Sequence, residues 1–429
     1  MFAINTDGRR VKEFLFGVAG LSLVLVVVVA GCSISPKRPT SRPDSAGAIA
    51  FSSRICFNGK HLLTSRNGQV FMWDVQTGKL IRSFQGETGQ LITALSFRPN
   101  HKQILATIAR DDATILYGDS VRLWDFGAGS EVTRLAEDVR PQRITDVQFA
   151  RDGMRALFRT DNGQILLWDI THNCAIFTLT NIWGSGYPGD QCGVLSEDGE
   201  RIISITERGK ATKVWNAQTG REICTITRTN RGYFTSAQFS PDAKTAITAS
   251  FDDDPTEKKK VTLDGSWFFL GANSGSAQLW DANTGKLIRV LRGHTNLVCR
   301  ATFIGNGNRV VTASYDGSAR LWDANTGKEL RQFWNPDRVE QMVISADGKR
   351  LITRWMSSKS DEQGTVTGAV LWDVETGRQL LQLTNRSEEI AGFSPVDKTF
   401  MTVSDGKPAA LWDGATGKKL RDYEPARKP

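Results

Sequence analysis

Four histidines (His61, His101, His172, His294) and six cysteines (Cys32, Cys56, Cys174, Cys192, Cys224, Cys299) are the residues of this 429-residue chain that suit metal or nucleophile chemistry. No two of the histidines have the short spacing of a zinc-ligand pair, and no C-x-x-C or H-E-x-x-H occurs. G-x-S-x-G and the phosphate-cradling G-x-x-x-x-G-K-[ST] are also missing. The acidic run "DDDP" (252–255) has the charge to meet a cation, but adjacent loop carboxylates of this kind are read as solvated, as is "EKKK" (257–260). His294 stands in "RGHT", while the other histidines sit in or beside turns. Five cysteines, Cys32 apart, fall mostly on predicted strands, where a thiol serves as a small buried hydrophobe. The expectation is therefore no catalytic centre, no metal and no cofactor.

The first residues call for separate treatment. "GRRVKE" is a short basic stretch, Phe14–Ala30 carries 17 residues without a charge, and "VAGC" ends at Cys32. This order resembles a bacterial lipoprotein signal, which implies acylation of Cys32 and a membrane-anchored protein in the cell envelope. Ser33, where Asp would signal retention, favours the outer membrane facing the periplasm; a single-span inner-membrane anchor is the alternative. Residues 32–47, rich in Pro, Ser and Arg, read as a flexible tether after a 1–31 signal, and 425–429 as a tail. Beyond residue 31 the chain keeps 51 basic against 44 acidic residues, a net of +7. With no basic block and no alternation of Arg with aromatics, nucleic acid is not the expected partner.

Of the 12 tryptophans, eight lie in one recurring phrase. "LWDANTGKL" at Trp280 and "LWDANTGKE" at Trp322 are its clearest copies, and Trp73, Trp124, Trp168, Trp215, Trp372 and Trp412 mark the others. The spacing never falls below 40 residues and is sometimes larger, as one supersecondary unit with loop insertions requires. Alternating apolar residues lead into each Trp, an Asp or Asn follows it, and a Gly (Asn173 in the third copy) closes the turn before a new strand. A second turn upstream of each Trp separates two further strands, so each unit reads as strands a to d. The units run over 48–86, 87–137, 138–180, 181–228, 229–292, 293–333, 334–384 and 385–424.

Eight such units resemble the WD-repeat family of β-propellers. The resemblance implies an all-β, eight-bladed β-propeller of four-stranded antiparallel blades over 48–424, with seven blades as the alternative. It further implies that His294, Ser314, Asp316 and Trp322 form the hydrogen-bonded structural tetrad of the sixth unit. Whether an N-terminal strand or the last unit's own strand closes the ring stays open.

Long segments interrupt the units between strands b and c (110–120, 251–275, 355–368) and between d and the next a (181–190, 333–340). In an up-and-down blade these connections emerge at one end. Trp183, Tyr187, Trp267, Phe268, Trp334 and Trp355 all fall in them, which marks a partner-binding face of large, stiff side chains. The expected function is a non-enzymatic protein–protein interaction scaffold on a lipid anchor, probed through this face by a protein partner and monomeric within its complex. The alternatives are a propeller binding a small ligand or resembling a quinone-dependent enzyme, and an outer-membrane assembly factor.

Overall fold

The computed structural model describes residues 55–423 except 59, 67–68, 86–89, 100–101, 111–119, 136–143, 161–162, 181, 183–192, 207–208, 229–231, 253–274, 362–363, 386–387, 395–397 and 405–408. The chain divides into units Met1–Ala46 and Gly47–Pro429, and all described residues belong to the second. The signal segment, Cys32, the tether and the tail lie outside the described residues.

The described strands form eight four-stranded sheets, each made of four consecutive strands joined antiparallel in the order a-b-c-d. They are blades one to eight, at 55–85, 90–135, 144–179, 193–227, 232–292, 298–334, 338–385 and 388–423. Such a sheet has two apolar faces and cannot cover both alone. Each blade therefore shares a core with its neighbours. One cluster joins blades one and two through Val70, Phe84, Ile104 and Trp124. Equivalent clusters join every successive pair up to blades seven and eight. The last brings Leu62, Trp73 and Val75 of blade one against Met401, Leu411 and Tyr423 of blade eight. The molecule is thus an eight-bladed β-propeller, and blade eight supplies its own fourth strand, Lys419–Tyr423.

Every repeat Trp packs towards the preceding blade. Eleven residues beyond each Trp, the end of strand d offers the apolar residue that meets the next blade's Trp: Phe84 stacks on Trp124 at 5.6 Å, and Phe333 lies 5.7 Å from Trp372. At the joint between blades eight and one this residue is Tyr423, whose ring meets Trp73 edge-on at 6.0 Å. Its hydroxyl donates to the Val75 carbonyl at 3.0 Å, a bond a phenylalanine could not make.

A buried indole N–H needs an acceptor. In six blades it donates to a hydroxyl two residues past the strand-b residue that pairs with the Trp. The acceptors are Thr64, Ser204, Thr248, Thr312, Thr353 and Thr402, at 2.8–3.0 Å. Blade three has Phe158 at this place, and Trp168 turns instead to Asn173 Oδ1 at 3.1 Å. In blade six the chain of bonds runs on: His294 Nε2 meets Thr312 Oγ1 at 2.7 Å, and His294 Nδ1 meets Asp316 at 2.8 Å. Ser314, expected in this set, is outside it. Val310 pairs with Trp322, so Thr312 is the diagonal neighbour within reach of the indole, whereas Ser314 is two steps further. Ser314 Oγ instead donates to the Asn296 carbonyl and accepts from the Asp316 amide. In blade seven Asn335 takes the place of the histidine, accepting from Thr353 Oγ1 at 2.6 Å.

The turn of the repeated phrase is held by its Asp. In blade six Asp323 Oδ1 accepts from the Thr326 amide at 2.7 Å and from its hydroxyl at 2.8 Å. Asp74, Asp281, Asp373 and Asp413 repeat both bonds. The Gly that follows has a left-handed backbone, with φ of 74° at Gly327, a conformation that L side chains resist. Crowding is a second reason: a Cβ on Gly327 would lie 2.7 Å from the Arg289 side chain of blade five. That arginine donates to the Thr326 carbonyl at 3.0 Å, so strand d of one blade clamps the turn of the next. Strand d is also bulged in all eight blades at one aliphatic position, Ile81 in blade one and Leu420 in blade eight. Bulges twist exposed edge strands out of register with other chains.

Candidate functional site

Strand a lines the centre of the wheel, and in six blades it carries a bulge at one level. The extra residues are Thr93, Thr145, Thr235, Cys299, Glu340 and Ala391. A bulge re-aims a side chain that would otherwise alternate with its neighbours. Two of these side chains tie consecutive blades together: Thr235 Oγ1 donates to the Val298 carbonyl at 2.6 Å, and Cys299 Sγ to the Val339 carbonyl at 3.1 Å. Burial pushes the Cys299 thiol up to about 12, so it stays protonated and serves as a weak donor.

Glu340 breaks the small-residue pattern, and polar chemistry gathers around it. Arg354 of strand b meets its Oε2 at 3.2 Å, and Arg338, the first residue of strand a, approaches its Oε1 at 3.4 Å. The Arg338 guanidinium lies over the Tyr315 ring, 5.6 Å from its centroid. Tyr315 comes from the b–c turn of blade six. Burial raises its phenol above the usual range, helped by Cys299 and Glu340 and opposed by Arg338, with Tyr233 of blade five also adding to the rise. Burial likewise raises Tyr233, whose ring lies 5.3 Å from Phe251. Three neighbouring blades thus place Tyr233, Tyr315, Arg338, Glu340 and Arg354 at the channel mouth, on the end where strands b and c join. The outermost strand of blade six ends there with Trp334, 59% exposed.

Trp334 was expected on a loop, but it is the last residue of the strand Glu329–Trp334 and pairs with Ser318. Trp355 is not on the face at all. It lies inside the strand Arg350–Asp361, 5% exposed, in the core between blades six and seven and over Gly368. The segment expected to be a loop at 355–368 is instead mostly a hairpin of that strand with Gly364–Asp373. Trp183, Tyr187, Trp267 and Phe268 lie outside the described residues. Asp252, read as solvated, is buried: it pairs with Arg228 and accepts from Ser276 Oγ at 2.8 Å. Cys174, expected to be buried, is exposed on an outer strand. Among the described residues no three His, Cys, Asp or Glu side chains are grouped to hold a metal ion, and no helix is long and apolar enough to cross a membrane.

These features define the class as an eight-bladed β-propeller of four-stranded antiparallel blades. Residues 78–125 and 285–323 match the family model "WD domain, G-beta repeat". Each match begins at the repeat-turn glycine of one blade and ends at the Asp of the next, and the second contains His294, Thr312, Asp316 and Trp322. Among curated proteins, the chain is similar to autophagy-related protein 16 of Arabidopsis thaliana, at 23% identity over 68% of this chain and 51% of that protein. It is also similar to the guanine nucleotide-binding protein subunit beta of Saccharomyces cerevisiae, at 21% identity over 66% of this chain and 60% of that one. The matches thus span little more than half the length of these two relatives. Among solved structures, the C-terminal WD40 domain of Sif2 superposes with a TM-score of 0.61 at 14% identity, covering 84% of this chain and 99% of that one. The computationally designed Ika8 protein does so with a TM-score of 0.59 at 19% identity, covering 86% and 98%.

Proposed function

We propose that the protein is a non-enzymatic interaction scaffold, tethered to the bacterial cell envelope through Cys32, that engages a protein partner with the end of the wheel bearing its b–c and d–a connections. The observation that carries this reading is the difference between the two ends. At one, five blades repeat a single Asp-x-x-Thr-Gly turn whose polar groups are spent on each other. At the other, exposed Trp334 and half-exposed Tyr315 stand beside an extended hairpin found in one blade alone among the described residues. Partly exposed aromatic and arginine side chains are what interaction hot spots are built from. The name of the yeast relative identifies a subunit, which accords with a life in complexes. The envelope address rests on the residues around Cys32.

The test is affinity capture from native membranes with the full chain carrying Trp183→Ala, Trp267→Ala and Trp334→Ala. Partners captured by the unaltered protein are expected to be lost while the melting temperature holds; equal recovery from the triple variant would overturn the proposed face. Metabolic labelling with a palmitate analogue should mark the protein and fail with Cys32→Ala, and labelling that survives this change would remove the anchor.

A further inference from the structure

We infer that the outer rim at the joint between blades eight and one rests on an anionic lipid surface, which stands the wheel on its edge and leaves the partner face open. This goes beyond the tether of the proposed function, because the contact is made by the wheel's own side chains. Leu80 and Ile81 of blade one and Leu420 of blade eight lie on outermost strands and are 45%, 45% and 52% exposed. The two blades meet closely here: Arg421 lies over Gly78, where an added Cβ would come within 2.6 Å of its Cδ. Exposed Lys60, Lys79, Lys418 and Lys419 stand around these aliphatics. Lys60 belongs to the same place because its carbonyl accepts from the Val75 amide, in the turn before Gly78, at 3.0 Å.

The acids of these strands and turns leave the positive charge in excess. Asp74 and Asp413 accept from Thr77 and Thr416 of their own turns, and Asp422 pairs with Lys419 at 2.5 Å. Lys60, Lys79 and Lys418 have no ion pair among the described residues, and Arg421 Nη1 is buried without an acceptor. Ile81 and Leu420 are the bulged residues of their strands, and a bulge disrupts the ladder that an added polypeptide strand would need. An edge of aliphatic side chains ringed by lysines suits a bilayer instead. Its apolar atoms sink to the headgroup boundary while the ammonium groups reach the phosphates. Blade one is also the blade into which the chain leads from Cys32, at Ile55. Across the wheel, blade five repeats Lys-Leu-Ile-Arg with Leu287 and Ile288 each 50% exposed. There Cys224 holds the place of Arg421 beside the turn glycine, and Glu222 pairs with Lys213 at 2.8 Å.

The test reconstitutes the full chain into vesicles of phosphatidylcholine alone or mixed equally with phosphatidylglycerol. Both hold a trace of phosphatidylcholine with a diazirine in its acyl chain, and photo-adducts are mapped by mass spectrometry. Adducts are expected on Leu80, Ile81 and Leu420 in the anionic vesicles, and on Leu287 and Ile288 in neither. One lysine at an anionic surface favours contact about fivefold. Lys60→Gln, Lys79→Gln and Lys418→Gln together should therefore cut the rim adducts about tenfold or more while the melting temperature holds. High salt should do the same to the unaltered chain, which keeps the test independent of how the variant folds. Rim adducts that are absent, that are as abundant in phosphatidylcholine alone, or that survive both the lysine changes and high salt would overturn the inference. Equal labelling of blade five would also overturn it, since a flat bilayer cannot reach opposite sides of a wheel standing on its edge.

Discussion

At the scale of single residues, the Thr312 hydroxyl is the joint on which blade six turns. It accepts from the Trp322 indole and is hydrogen-bonded to His294 Nε2 at 2.7 Å, while Nδ1 of the same ring meets Asp316. Thr312→Val removes this joint while keeping the shape, leaving a buried N–H without an acceptor. It should cost about 1–3 kcal/mol in urea unfolding, with Thr312→Ser close to the parent. Burial opposes ionisation of Asp316, but the bonds and charge of His294 and the bonds from Ser318 outweigh it and hold the carboxyl well below the ordinary range. A depressed folded value means that its stabilisation is complete above the unfolded value of about 3.9 and is lost as pH falls through the lower folded one. Acid titrations should therefore show Asp316→Asn with a shallower loss of stability below about pH 4. The repeat Trp and the blade-six His and Asp were visible in the sequence, but the hydroxyls were not. Trp73 and Thr64 are 9 residues apart, Trp280 and Thr248 are 32 apart, and yet both pairs occupy one cross-strand position. Register is counted across a hairpin, so a connection of variable length hides it from any fixed spacing.

At the scale of elements, the repeated turn answers to the blade before it. Gly305 and Gly327 both have left-handed backbones, with φ of 59° and 74°, but an added Cβ at Gly305 would meet nothing within 4 Å. Changing each to Ala imposes similar backbone strain, about 1–2 kcal/mol. Only Gly327→Ala also displaces Arg289 from the Thr326 carbonyl. Gly327→Ala should therefore lower the urea midpoint further than Gly305→Ala, and equal shifts would refute the clamp. The left-handed glycine could be read from the phrase itself, as could Asn173, which has φ of 51°. The crowding could not, because the arginine that causes it belongs to another repeat. Trp355 was misplaced for a related reason: "RWMSSKSD" looks like a loop along the chain, and only its pairing with 364–368 and its burial between blades make it a strand.

At the scale of the molecule, blade number followed from counting phrases, whereas closure did not, since strand exchange and side-chain closure leave the same repeat count. The joint between blades eight and one relies on the shared core around Trp73 and on the Tyr423 hydroxyl. Tyr423→Phe deletes that one bond and should lower stability by about 1 kcal/mol. Amide exchange should accelerate first in Gln69–Asp74 and Ala409–Asp413, the strands on either side; uniform acceleration around the wheel would show that this joint is no weaker than the others. Since no blade borrows a strand from another among the described residues, the polypeptide has no privileged starting point within the wheel. Linking 423 to 55 and opening the backbone between any other two blades would leave every sheet whole, so the order of blades along the gene is a historical choice that the folded form does not need.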